Sequence, residues 1–198
     1  MDLAARSGAI SDLIRARAGG GNVNDRSPSN QTPLMLAVQE NHPDATEWLL
    51  QHDANVNLTD NDQDTALHIA ARYGSAKAAE VLLNNGANIE AVNEQGETPL
   101  LIASSSGWTE TLDVLLNHGA RVNTPDKQGW TALMHAAGAG YVKIARTLVD
   151  HGANVGVASP DGKTALSLAI EQKHQEMVDF LASHAKTRPT TTPAPARP

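Results

Sequence analysis

The chain has 198 residues, a formal charge of −7 and 40% hydrophobic residues, with only six aromatics and no cysteine. That length permits one substantial core or one elongated array, and the missing cysteines exclude disulfides and thiolate metal sites while leaving the compartment open. No apolar run approaches the ~20 residues of a membrane helix, and the opening residues lack a charged-then-apolar leader, so a cytoplasmic protein without membrane contact is expected. A periplasmic or secreted location is the alternative if an N-terminal segment has been removed.

Residues 1–26 read as two short helices, LAARSG from Leu3 and an Arg-rich stretch from Ile10 to Ala18, followed by Asn22-Val23-Asn24. The first is short and the second carries arginines where later segments have V-L-L. Two readings stay open: an N-terminal cap whose outer face is polar because nothing covers it, or a fragment of something longer.

From Thr32 the sequence repeats. TPLMLAVQENHPDATEWLLQHDAN is followed at Thr65, Thr98, Thr131 and Thr164 by the same outline, each time 33 residues on. Each copy predicts two antiparallel helices. The Thr hydroxyl is an N-cap, Pro33 and Pro99 occupy a first helical position that needs no N–H, and Gly74 or its equivalent stops the first helix in a left-handed conformation. In the copy at Thr65 the buried faces are Leu67, Ile69, Ala70 and Ala71 on the first helix, then Ala78, Val81, Leu82 and Leu83 on the second. Neither helix can bury its apolar side alone, so neighbouring copies must supply the other wall. The units run 27–59, 60–92, 93–125, 126–158 and 159–185. In the unit 27–59, Asn30, Asn41 and Asp53 stand where Gly is usual, and they tolerate left-handed φ at a cost of up to about 1 kcal/mol each; this unit should be looser than the three that follow it. In the last, Lys173 replaces Gly and the second helix is polar on one side, as befits a C-terminal cap. Residues 186–198, KTRPTTTPAPARP, are Pro/Thr-rich and read as a disordered tail.

This outline, T-[PA]-L, a helix-breaking Gly, V/L-L-L and G-A-N-V/I-N, resembles the ankyrin repeat over residues 1–185. The resemblance implies an all-α solenoid of stacked helix-turn-helix units, with turn or β-hairpin fingers projecting between them. It also implies a non-catalytic protein-binding scaffold or adaptor that works through the concave face made by fingers and first helices. The alternative is a regulatory or recruiting fragment of a larger multidomain enzyme or channel. On the family's pattern, the outward positions include Asp62, Asp64, Arg72, Tyr73, Glu94, Glu97, Lys127, Trp130 and Lys163. Trp130, Tyr73 and Arg72 are the expected anchors, because interface energy concentrates in such residues. The acids set charge complementarity. The bland alternative for Trp130 and Tyr73 is packing onto a neighbouring finger. Trp48, in the slot of Val81 and Val114, is expected in the core. Within the resemblance, His68 hydrogen-bonds within and between finger turns, and Asn57 or Asn123 could be hydroxylated.

Charge is uneven. Residues 27–120 hold thirteen Asp or Glu against Arg72 and Lys77, a balance of −11. Clustered Lys and Arg are what phosphate binding requires, so nucleic acid is not an expected partner. The acidity serves either solubility or recognition of a protein with a basic or mixed-polarity surface. A monomer is expected.

No catalytic constellation emerges: the chain contains no G-x-S-x-G, no G-x-x-x-x-G-K-[ST] and no H-E-x-x-H. Ser104-Ser105-Ser106-Gly107 reads as a helix end. His52, His118, His151 and His184 recur in phase at the last turn of second helices. Neighbouring helices stand about 8–10 Å apart and zinc–nitrogen bonds are about 2.0–2.1 Å, so at most two rings could converge. Capping of helix ends is the better reading, with no metal and no cofactor expected.

Overall fold

The computed structural model describes residues 1–185; the predicted tail at 186–198 lies outside the described residues. Twelve helices are present among them, in six antiparallel pairs: α1 (Asp2–Ser7) with α2 (Ile10–Ala18), α3 (Pro33–Gln39) with α4 (Pro43–Gln51), α5 (Ala66–Tyr73) with α6 (Ala76–Asn84), α7 (Pro99–Ser106) with α8 (Thr109–Asn117), α9 (Ala132–Ala139) with α10 (Val142–Asp150), and α11 (Ala165–Glu171) with α12 (Gln175–Ala185). The odd-numbered helices pack consecutively in one row and the even-numbered helices in a second.

Two columns of residues explain why these short helices hold. Ala37, Ala70, Ala103, Ala136 and Ala169 are fully buried, one per first helix from α3 to α11, and their small side chains let that row close up. Leu49, Leu82, Leu115, Leu148 and Leu181 are each 0% exposed, one per second helix from α4 to α12. Removing a leucine of this kind from water contributes about 1.5–3 kcal/mol. Since every leucine is walled by the adjacent pair, stability is shared through interfaces rather than owned by one unit.

The ends of the helices follow the local chemistry. Thr32, Thr65, Thr98, Thr131 and Thr164 each accept a hydrogen bond from the backbone N–H three residues on. Asn30, Asn41 and Asp53 adopt φ of 62°, 57° and 69°, and Lys173 and Gln63 join them at 61° and 63°. Gln63 escapes the sequence reading, although its equivalents are Gly96, Gly129 and Gly162. The in-phase histidines sit at helix ends: the Nδ1 atoms of His52, His118, His151 and His184 lie 2.7–2.9 Å from the carbonyl oxygen four residues back, and Asn85 donates to Val81 in the same way. Trp48 is half-buried rather than inside the core, with its ring stacked on His52 at 3.8 Å between centroids.

The segments between units are turns. Asp60, Asn93 and Asp126 each use one side-chain oxygen to accept two backbone N–H groups of their own turn, two and four residues ahead. Isolated antiparallel bridges, Thr59 with Thr65 and Ala158 with Thr164, are the extent of β pairing among the described residues. Successive turns are tied by Glu94 N–H to Asp62 O at 2.9 Å and Lys127 N–H to Gln95 O at 3.2 Å.

Candidate protein-binding face

The turn tips and the ends of the first helices place the nine outward candidates side by side, but they do not leave all nine outward. Asp64 is fully buried. Its carboxylate pairs with Arg72 and accepts Asn93 Nδ2 at 3.1 Å, so it fastens one turn to the next and cannot meet a partner directly. The reason is geometric: position 64 lies at the base of the turn, above the last residues of α5, so a short side chain there is covered. Arg72 is half-buried; burial alone would lower its pKa, but the bond to Asp64 and that carboxylate's charge hold it above the ordinary arginine range. Its carbonyl accepts Trp108 Nε1 at 2.9 Å. Asp60, beneath the same turn, is pushed up by burial against the pull of its two backbone donors.

Glu97 and Trp130 occupy the same position as Asp64 in the next two units, and both are half-buried. Glu97 Oε2 accepts Asn93 Nδ2 at 3.0 Å. Trp130 packs against the core and tilts over His135 at 5.4 Å, while His135 Nε2 reaches Asp126 Oδ2 at 2.8 Å. In the last unit Lys163 pairs with Glu171 at 2.9 Å, which raises the lysine pKa. Arg72 and Glu171 both stand eight residues beyond the turn residue they pair with. The matching position in the unit of Trp130 is Gly138, where an added Cβ would meet nothing within 4 Å. Nothing rises to cover that part of the face.

Asp62, Glu94 and Lys127 are exposed, with the Lys127 ammonium donating to the Glu94 carbonyl. Tyr73 is 47% exposed at the end of α5. Lys127, Gln128, Trp130, Pro160 and Asp161 line a shallow cleft of about 430 Å³ between the last two turns. His68 binds in both directions: Nδ1 accepts the Thr65 N–H at 3.0 Å and Nε2 donates to Glu97 O at 3.0 Å. Burial pushes its pKa down, against the opposing pull of Asp64.

The repeated pair of helices, the capped Thr, and the turn-to-turn hydrogen bonds recur with one register. A protein family described as "Ankyrin repeats (3 copies)" matches residues 1–93 and 86–159. The chain is an ankyrin-repeat protein. No curated protein matches it. Ankyrin repeats are in general protein-interaction modules and the family is typically non-catalytic. Among the described residues of this ankyrin-repeat chain no helix is long and apolar enough to cross a membrane, and no cluster of three or more metal-ligating side chains occurs.

A second column escapes the sequence reading altogether. His42, Ser75, Trp108, Tyr141 and His174 are also 33 residues apart, at the turn between first and second helix. His42 Nε2, Ser75 Oγ, Trp108 Nε1 and His174 Nε2 each lie 2.8–3.1 Å from a backbone carbonyl of the preceding unit. The rings of His42, Trp108, Tyr141 and His174 lie over Gly8, Gly74, Gly107 and Gly140. The helix-stopping glycines thus serve packing as well as φ. The signal was present in the spacing, but a column that mixes His, Ser, Trp and Tyr does not announce itself.

Proposed function

We propose that this chain is a non-catalytic binding scaffold whose concave face, centred on the unit of Trp130, holds a protein with a basic or mixed-polarity surface. The observation that carries the reading is the uncovered stretch at Gly138 and Ala139 beside the half-buried Trp130. In two other units along the same line, charged side chains neutralise one another: Asp64 with Arg72, Lys163 with Glu171. An interface gains most where an aromatic is already partly desolvated and no ion pair must be broken. Tyr73 supplies the second anchor. Exposed Asp62 and Glu94 supply the unpaired negative charge that favours basic partners and speeds encounter. Arg72, Asp64, Glu97 and Lys163 act as the frame that holds the turns in place.

The test is affinity capture from a cell extract with the intact chain beside Gly138→Arg and Tyr73→Ala. Gly138 has open space above it, and arginine is a better helix former than glycine. Gly138→Arg should therefore keep or raise the melting temperature while abolishing capture of the specific partner. Tyr73→Ala should weaken capture about tenfold or more. Undiminished capture by both variants would defeat the reading, and capture that ignores added salt would defeat its electrostatic half.

A further inference from the structure

The turns joining first to second helices form an edge that borders the proposed binding face where the first helices end, at Tyr73 and at Gly138 and Ala139. Three of the chain's six aromatics are exposed: Trp108 at 42% and Tyr141 at 38% stand on this edge, and Tyr73 at 47%, the second anchor of the binding face, ends the helix beside it. Beside them, the second residue of every second helix from α4 to α12 is charged and exposed, and the sign alternates: Asp44, Lys77, Glu110, Lys143, Glu176. None of these five takes part in the ion pairs found among the described residues. A shallow groove of about 480 Å³ runs between them, lined in part by Pro43, Lys77, Trp108 and Glu110.

The acids have a local reason to be there. Asp44, Glu110 and Glu176 lie in first turns, where the helix dipole favours negative charge. Lys77 and Lys143 sit at the same position against that preference, at a cost of about 0.3–1 kcal/mol each. Local helix chemistry therefore explains half of the alternation and opposes the other half.

We infer that this edge is a self-association surface on which two copies of the chain meet antiparallel, with a twofold axis between the units of Trp108 and Tyr141. An alternating row is complementary to itself only when the axis falls between two units. There it opposes Glu110 to the partner's Lys143 and Lys77 to the partner's Glu176, with the reciprocal pairs generated by symmetry. An axis passing through a unit opposes Glu110 to the partner's Glu110, and a parallel contact in register opposes every charge to its like. The aromatics choose among the half-steps. Between the units of Trp108 and Tyr141, the exposed indole faces the partner's Tyr141 and the reverse, whereas one unit earlier Trp108 would face the partner's Ser75. A stack of helix pairs twists, so the contact is confined to the units nearest the axis, and it is small and weak by the standards of permanent dimers. This sets aside the expectation of a monomer at high concentration.

Sedimentation velocity of the intact chain over a concentration series tests the inference, with circular dichroism melts confirming that each variant is folded. The wild type should show a concentration-dependent dimer. Glu110→Lys and Lys143→Glu should each weaken it about tenfold or more, because each opposes like charges twice. The double variant, Glu110→Lys with Lys143→Glu, should restore the dimer, and an equimolar mixture of the two single variants should form heterodimers. A chain that stays monomeric to about a millimolar, or a dimer indifferent to both reversals, overturns the proposal. Rescue of Glu110→Lys by Lys77→Glu instead of Lys143→Glu would move the axis and overturn the register.

Discussion

At the scale of single residues, the fold carries three local debts that substitution can expose. Thr111 Oγ1 is buried on α8 without a hydrogen-bond partner, where the equivalent positions hold Ala45, Ala78 and Ile144. Replacing that hydroxyl by a methyl keeps the shape and removes the desolvation cost, so Thr111→Val should gain about 1 kcal/mol in urea unfolding. Lys173 holds φ of 61° where Gly140 and Gly107 stand in earlier units, and no further described unit packs over it. Lys173→Gly should stabilise by up to about 1 kcal/mol, read as a rise of a few degrees in melting temperature. His68 is the third. As a buried neutral ring it accepts at Nδ1 and donates at Nε2, so a proton added to Nδ1 destroys the bond from Thr65. Its pKa is lowered in the folded state by burial, so the unfolded chain takes up the proton first. The contribution is therefore complete above the ordinary histidine value of about 6.5 and is lost as pH falls from there toward the folded-state value. Leu101 occupies the equivalent position in the next unit, so His68→Leu should fold. Melting curves at pH 7.5 and 5 should show the variant less stable at the higher pH by about 1–2 kcal/mol and less sensitive to acid than the wild type.

At the scale of elements, the decisive contact is the ring that four of the units lay over the first-helix stop of the unit before them. A Cβ on Gly74 would come within 2.4 Å of Trp108 Cδ2, and its φ of 74° already disfavours any side chain. Gly74→Ala should cost about 1–3 kcal/mol. Part of that cost is the clash, so it should shrink when Trp108 is also replaced by Ala. A double-mutant cycle by chemical denaturation would report the difference as a coupling term, and strict additivity would show that the indole is not what limits the position. This is also where reading the sequence fell short. The repeats disclosed helices, caps and left-handed turns, because those depend on residues close in the chain. The inward turn of Asp64 depends on Arg72, eight residues later, and on Asn93 in the next unit, and the half-burial of Trp130 on a fold-back of its own turn, contacts that no local pattern announces.

At the scale of the whole molecule, the layers are held only by their neighbours, so protection should follow position in the stack. Amide hydrogen exchange should be slowest in α5 through α10, with α1, α2 and α12 opening first. Equal protection from end to end would mean that the stack unfolds as one block. The same architecture gives the chain two adjoining surfaces, one for another protein and one for a second copy, which meet where the first helices end.

Periodicity in the sequence was enough to determine the repeated helix pairs, the threonine caps and the apolar faces of each pair, because neither helix can bury its apolar side alone. Tertiary structure alone decided which outward positions remain available. Asp64 is neutralised by Arg72, Lys163 by Glu171, and Gly138 leaves the space beside Trp130 open. Exposure of these turn residues is set by the side chain eight residues on in the same unit, and only the folded turn brings the two together.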